Sequence, residues 1–128
     1  MATTLRYAKV VDRDRLQELG GLSPGTDSVV LLPDGEPGVA RDFLVVRAWD
    51  GVEGGVEEEW RLEDPHGRVI YVGTPRTVLA DHGELSDEVQ GVRFDYGDVG
   101  FQLVLDIDGE EAARAAFEVS VVNGDGPG

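Results

Sequence analysis

The chain has 128 residues, 41% of them hydrophobic, and its 26 acidic side chains outnumber 11 basic ones to leave a net charge of −15. That length suits one domain able to bury roughly two-thirds of its unfolded surface without staples. The absence of cysteine excludes disulfides, thiolate catalysis and Cys-based zinc sites.

Taken in chain order, MATTLRYAKV has no basic region followed by an apolar core, so it does not read as a signal peptide. No apolar run approaches the ~20 residues needed to span a bilayer, and a cytoplasmic location is expected. Residues 5–11 and 28–32 are plausible strands, with one helical turn allowed at 15–19 or at 86–89. Residues 33–40 and 50–55 read as long, flexible connections.

The apolar, β-branched run over 43–49 predicts a buried strand. Trp60 and Leu62 then alternate with Glu59, Arg61 and Glu63. Asp64-Pro65-His66-Gly67 has the proline and glycine of a tight turn leading into a strand at 68–72, and 76–80 is a weaker strand. Further on, Val92, Phe94 and Tyr96 share one face, as do Phe101, Leu103, Leu105 and Ile107, and then Ala115, Phe117, Val119 and Val121. The segment from Glu110 to Phe117, EEAARAAF, favours helix by propensity, yet the alternation that continues into Val119 and Val121 predicts strand. The pattern amounts to about eight short strands between Gly, Pro and Asp signals, as in a sandwich or barrel. A single domain over 1–122 is expected, with 123–128 as a flexible tail.

Few motifs carry chemistry. Gly21-Leu22-Ser23-Pro24-Gly25 matches the G-x-S-x-G nucleophile elbow, but no apolar strand precedes Ser23 and no helix pattern follows it. His66 and His82 both fall in loop-like stretches, without the H-x-x-x-H or H-E-x-x-H spacing of a zinc site. Glu57-Glu58-Glu59 reads as a solvated strand edge that discourages pairing with other chains. Neither a phosphate-binding P-loop nor a basic, aromatic nucleic-acid surface occurs, and no cofactor is expected. Trp49 and Trp60 lie in strand patterns and read as core.

Leu105-Asp106-Ile107-Asp108-Gly109-Glu110-Glu111 admits two readings. As a calcium loop it would use Asp106, Asp108 and Glu110, with Glu111 and Asp98 in support. Calcium wants six to eight oxygens, however, and an EF-hand would need a glutamate where Ala115 stands. As a hairpin, Leu105 and Ile107 point inward, Asp106 and Asp108 outward, and Asp108-Gly109 supplies the left-handed residues of a type I′ turn. The hairpin is the preferred reading.

The stretches WRLEDPHGRVIYVG and VRFDYGDVGFQLVLDIDGEEAARAAFEV resemble a group of small bacterial β-sandwich domains of unknown function. In that group an early strand leads to a Gly-Gly element, here Gly20-Gly21, and an L-x-D-x-x-G hairpin follows, here running from Leu62 to Gly67. The domain closes with a strand ending in V-D-G-E, whose last partner strand ends in F-x-V, here Phe117 to Val119. The resemblance implies an all-β, immunoglobulin-like antiparallel β-sandwich with no assigned activity. Where such domains often have Gly-x-Tyr, this chain has Val99-Gly100-Phe101, which removes the hydroxyl of a tyrosine corner.

With no recognisable catalytic set, the chain reads as a non-enzymatic interaction or assembly domain, binding a protein partner or a second copy of itself, with a homodimer as the simplest case. Its charge repels nucleic acid and anionic membranes, so direct binding to either is not expected. The charge could alternatively imitate DNA and occupy a basic protein, which requires carboxylates spaced along one face. Calcium binding is the third reading.

Overall fold

The computed structural model describes residues 3–23, 25–33, 38–79 and 84–121. In chain order these form β1 (Thr4–Asp12), α1 (Arg13–Glu18), β2 (Val29–Leu32), β3 (Gly38–Val39), β4 (Phe43–Asp50), β5 (Val56–Glu63), β6 (Val69–Val72), β7 (Arg76–Val78), β8 (Glu84–Val89), β9 (Arg93–Phe94), β10 (Asp98–Ile107) and β11 (Glu110–Val121). The expected all-β class holds. His82 and the expected tail over 123–128 lie outside the described residues.

Nine strands make one sheet, ordered β6-β5-β10-β11-β2-β1-β4-β8, with β7 also paired to β5; β3 and β9 form a separate pair. Most neighbours are antiparallel, but β2 runs parallel to both β1 and β11, so the sheet is mixed. The reason lies in the chain between β1 and β2. A parallel return needs a crossover of about a dozen residues or more, and residues 13–28, with α1 among them, supply it. Asp12 starts α1 by accepting from the Arg15 backbone N–H at 3.1 Å. Gly20, at φ +76°, ends it: the Gly20 and Gly21 N–H groups return to the carbonyls of Gln17 and Leu16.

Side chains from both halves of the sheet fill one core. Phe43 packs on Phe94, Phe94 meets Phe101 edge-on at 5.8 Å, and Phe101 packs on Phe117. These rings join β4 to β10 and β11, so the sheet curls back over itself. The predicted strand at 92–96 shortens to the two residues of β9. The helical turn allowed at 86–89 is instead part of β8, which pairs with β4 from Val89↔Phe43 to Glu84↔Ala48. Its inward position 87 is an aspartate, which breaks the apolar alternation that would have marked a strand.

Outside the core, Val104 faces the other way and is still fully buried. Arg61 and Arg114 stand beside it on the neighbouring strands, and Glu63, Asp106 and Glu111 hold them in place. The arginine stems thus cover an apolar spot while their heads are paired.

Candidate functional site

The most elaborate polar arrangement lies where the two ends of the curled sheet approach one another. Alternation along β4 sends Phe43, Val45, Arg47 and Trp49 inward, and along β5 it sends Val56, Glu58, Trp60 and Leu62 inward. One inward position in each strand is therefore charged. Arg47 Nε donates to Glu58 Oε1 and Oε2 at 3.1 and 2.9 Å, its Nη2 also reaches Glu58, and its Nη1 donates to the Val45 carbonyl at 3.2 Å. Trp49 Nε1 completes the carboxylate's shell at 2.6 Å. Burial alone would lower the Arg47 pKa; the hydrogen bond to Glu58 and the charges of Glu58 and Asp87 outweigh it and hold the pKa above its ordinary value.

Asp87 on β8 extends the cluster towards water. Arg47 Nη2 lies 3.1 Å from its Oδ2, Trp60 Nε1 donates to the same oxygen at 2.9 Å, and Arg76 of β7 pairs with Oδ1. Arg47 and Glu58 are wholly buried, Asp87 is 18% exposed and Arg76 is 41% exposed. Two cations and two anions balance, so the low-dielectric interior holds no net charge. Above them a cleft of about 300 Å³ opens between β8 and the segment from β6 to β7, walled by Trp60, Tyr71, Thr74, Arg76, Ser86 and Asp87. Gly73 borders it; a Cβ there would sit 2.2 Å from Trp60 Cε2.

The sequence-derived candidates fall elsewhere. Asp108 and Gly109 have φ of +52° and +83° and join Ile107 to Glu110 as a two-residue hairpin, the type I′ geometry expected. Asp108 Oδ1 accepts from the Glu57 backbone N–H at 3.0 Å, and Asp106 Oδ2 takes Arg61 Nη1 at 3.0 Å. Glu110 is exposed, and among the described residues no group of three or more His, Asp or Glu side chains is placed to hold a metal. The structure therefore does not bring Asp106, Asp108 and Glu110 together.

Gly21 of the G-x-S-x-G match belongs to the cap of α1, and Ser23 Oγ lies 3.1 Å from Thr26 Oγ1. His66 sits in the turn beside Tyr96, its backbone N–H given to Asp64 Oδ1. Glu58 corrects the reading of residues 57–59 as a solvated edge, because β5 has partners on both sides. Alternation taken strand by strand does not mark the buried Arg47 and Glu58 or the mostly buried Asp87. The available signal was opposite charge at inward-facing positions of separate strands.

No family model matches the sequence, and no curated protein matches it. Among solved structures the chain is similar to the Pseudomonas fluorescens alkylpurine DNA glycosylase AlkC bound to DNA containing an abasic site analog, with 12% identity and a TM-score of 0.48. The match covers 91% of this chain and spans 30% of the length of that one.

Proposed function

We propose that this chain is a non-catalytic interaction domain that assembles through the edge of its sheet, with a second copy of itself as the first partner. The observation that carries this is the bareness of β6. The strand ends the sheet path, all four of its residues are apolar or aromatic, and Val69 and Val72 are 51% and 63% exposed. Edge strands in soluble proteins are ordinarily blunted by charge, proline or a bulge, since an unpaired row of N–H and C=O groups invites another chain. Two β6 strands meeting antiparallel would satisfy those groups and cover the valines.

The sheet's curl around one core supports reading the domain as a relative of the immunoglobulin-like sandwich, with β2 as a parallel insertion. A nucleic-acid mimic would need its carboxylates along one face. Here Asp14 lies on α1, Glu57 and Glu59 on β5, Glu84 and Glu88 on β8, and Glu118 on β11, a spread that gives that reading no support.

Sedimentation of the full chain over a wide concentration range tests the proposal. A concentration-dependent dimer that Val72→Lys converts to monomer is expected. A strict monomer at the highest concentration removes self-assembly.

A further inference from the structure

The opposite end of the sheet is built differently. Strand β8 pairs with β4 and, among the described residues, has no strand on its other side. Its sequence, Glu84-Leu85-Ser86-Asp87-Glu88-Val89, contains three acids and no base. Glu84, Ser86 and Glu88 are exposed, whereas Leu85 and Asp87 are partly buried and Val89 is buried. The free side of β8 borders the 300 Å³ cleft, whose opposite wall offers Tyr71, Trp60, Thr74 and Arg76.

We infer that β8 and this cleft form a docking site for an extended, basic peptide segment of a partner protein, added to the sheet as a further strand. Three features fit that occupant. First, an added strand would hydrogen-bond through its backbone to the side of β8 that pairs with no strand among the described residues, which is how strand addition gains affinity without regard to sequence. Second, side chains of an added strand alternate between two directions. Those on the outer face would run beside Glu84 and Glu88, where arginine or lysine is favoured and acid is repelled. Those on the inner face would border the cleft, where Trp60 is buried and the partly exposed Tyr71 ring stands among Thr74, Arg76, Ser86 and Asp87, a mostly polar lining that suits short side chains. Third, the long-range field of a −15 chain would draw a basic segment in and speed its encounter.

A second copy of this chain is a poor occupant here. Pairing β8 with another β8 would bring Glu84 and Glu88 against acids of the same strand, and β6 contains no base to answer them. The acidic edge therefore repels self-pairing and selects for opposite charge. This inference is independent of self-assembly at β6, because it concerns the other end of the sheet.

The test uses a labelled ten-residue peptide of alternating arginine and valine, titrated into the full chain at about 0.15 M salt. Two further peptides serve as controls, one with glutamate replacing every arginine and one with a central valine replaced by proline. Saturable binding of the first peptide is expected, together with new hydrogen-exchange protection of amides in residues 84–89. Affinity should fall by at least about tenfold for the proline peptide and for the Glu84→Lys/Glu88→Lys variant, with a smaller loss for Glu88→Gln. Circular dichroism confirms that each variant is folded, and the milder Glu88→Gln keeps the test decisive if the double variant is not. Absence of binding overturns the inference. So does equal affinity for the proline peptide, which would mean loose electrostatic adhesion, or protection appearing on residues 69–72 in place of 84–89.

Discussion

Arg47 on β4 holds both carboxylate oxygens of Glu58 on β5, and neither side chain reaches solvent. The pair crosses the interior between strands that are not neighbours in the sheet. It therefore fixes how far the two halves of the sheet can slide past each other, which apolar packing alone does less strictly.

Removing one partner strands the other. Glu58→Leu leaves the Arg47 guanidinium with only Asp87 and the Val45 carbonyl and leaves Trp49 Nε1 without its acceptor, and it should cost about 3–5 kcal/mol in urea unfolding. The double variant Arg47→Met/Glu58→Leu should recover at least half of that loss. A double variant no more stable than the single one would mean that the surrounding packing, rather than the stranded charge, sets the cost.

The hairpin at Asp108-Gly109 is held by backbone conformation. Beyond its own chain neighbours, no atom lies within 4 Å of where a Gly109 Cβ would stand, so Gly109→Ala tests the φ of +83° with no steric contribution from packing. The expected loss is about 1 kcal/mol by chemical denaturation, with the fold intact. Since Asp108 serves Glu57 and Asp106 serves Arg61, about 1 mM calcium should leave the melting temperature of the parent chain unchanged.

Gly73 is the converse case. Its Cβ would enter the Trp60 ring, so Gly73→Ala should cost about 1–3 kcal/mol through overpacking and disturb tryptophan fluorescence as Trp60 shifts. An unchanged spectrum with unchanged stability would place Trp60 elsewhere.

Asp64 provides a pH-dependent contribution. Burial would raise its pKa, but hydrogen bonds from the backbone N–H groups of Arg68 and His66 and from the Arg68 guanidinium outweigh it, and the folded pKa lies below the ordinary 3.8. A depressed carboxylate stabilises the fold above its unfolded pKa and loses that contribution as pH falls through its folded pKa. Asp64→Asn should therefore be less stable than the parent at neutral pH, and the gap should narrow below about pH 3.8. A constant gap down to pH 2 would show that the carboxylate charge is not involved.

Much of the fold could be read from alternation. Residues 110–121 form a strand although Ala and Glu favour helix, because Ala113, Ala115, Phe117 and Val119 all face the core. The turns at Asp64 to Gly67 and at Asp108-Gly109 followed from local backbone chemistry. The ion cluster was not legible, for one reason. Arg47, Glu58 and Asp87 occupy inward positions where the pattern expects apolar residues, and each is tolerable only because the others are there. That fact belongs to three strands together. The parallel placement of β2 was hidden in the same way, since four apolar residues look alike in either direction.

That placement has a consequence for how the molecule is made. Residues 118–121 pair with 29–32, which in turn joins them to β1 through Val11 and Val29. On a ribosome, the partners of the β1–β4–β8 unit and the hairpin from β5 to β6 become available early, but the joint between the two halves waits until β11 has emerged. Until then β2 shows one unpaired side, and a chain stalled before residue 118 would hold its two halves together through side chains alone, such as the Arg47–Glu58 pair and the Phe43, Phe94 and Phe101 rings, with no backbone joint between them. Backbone closure of the sheet thus waits on the emergence of β11, and until then the bare side of β2 is open to interception by a β11 strand of another copy.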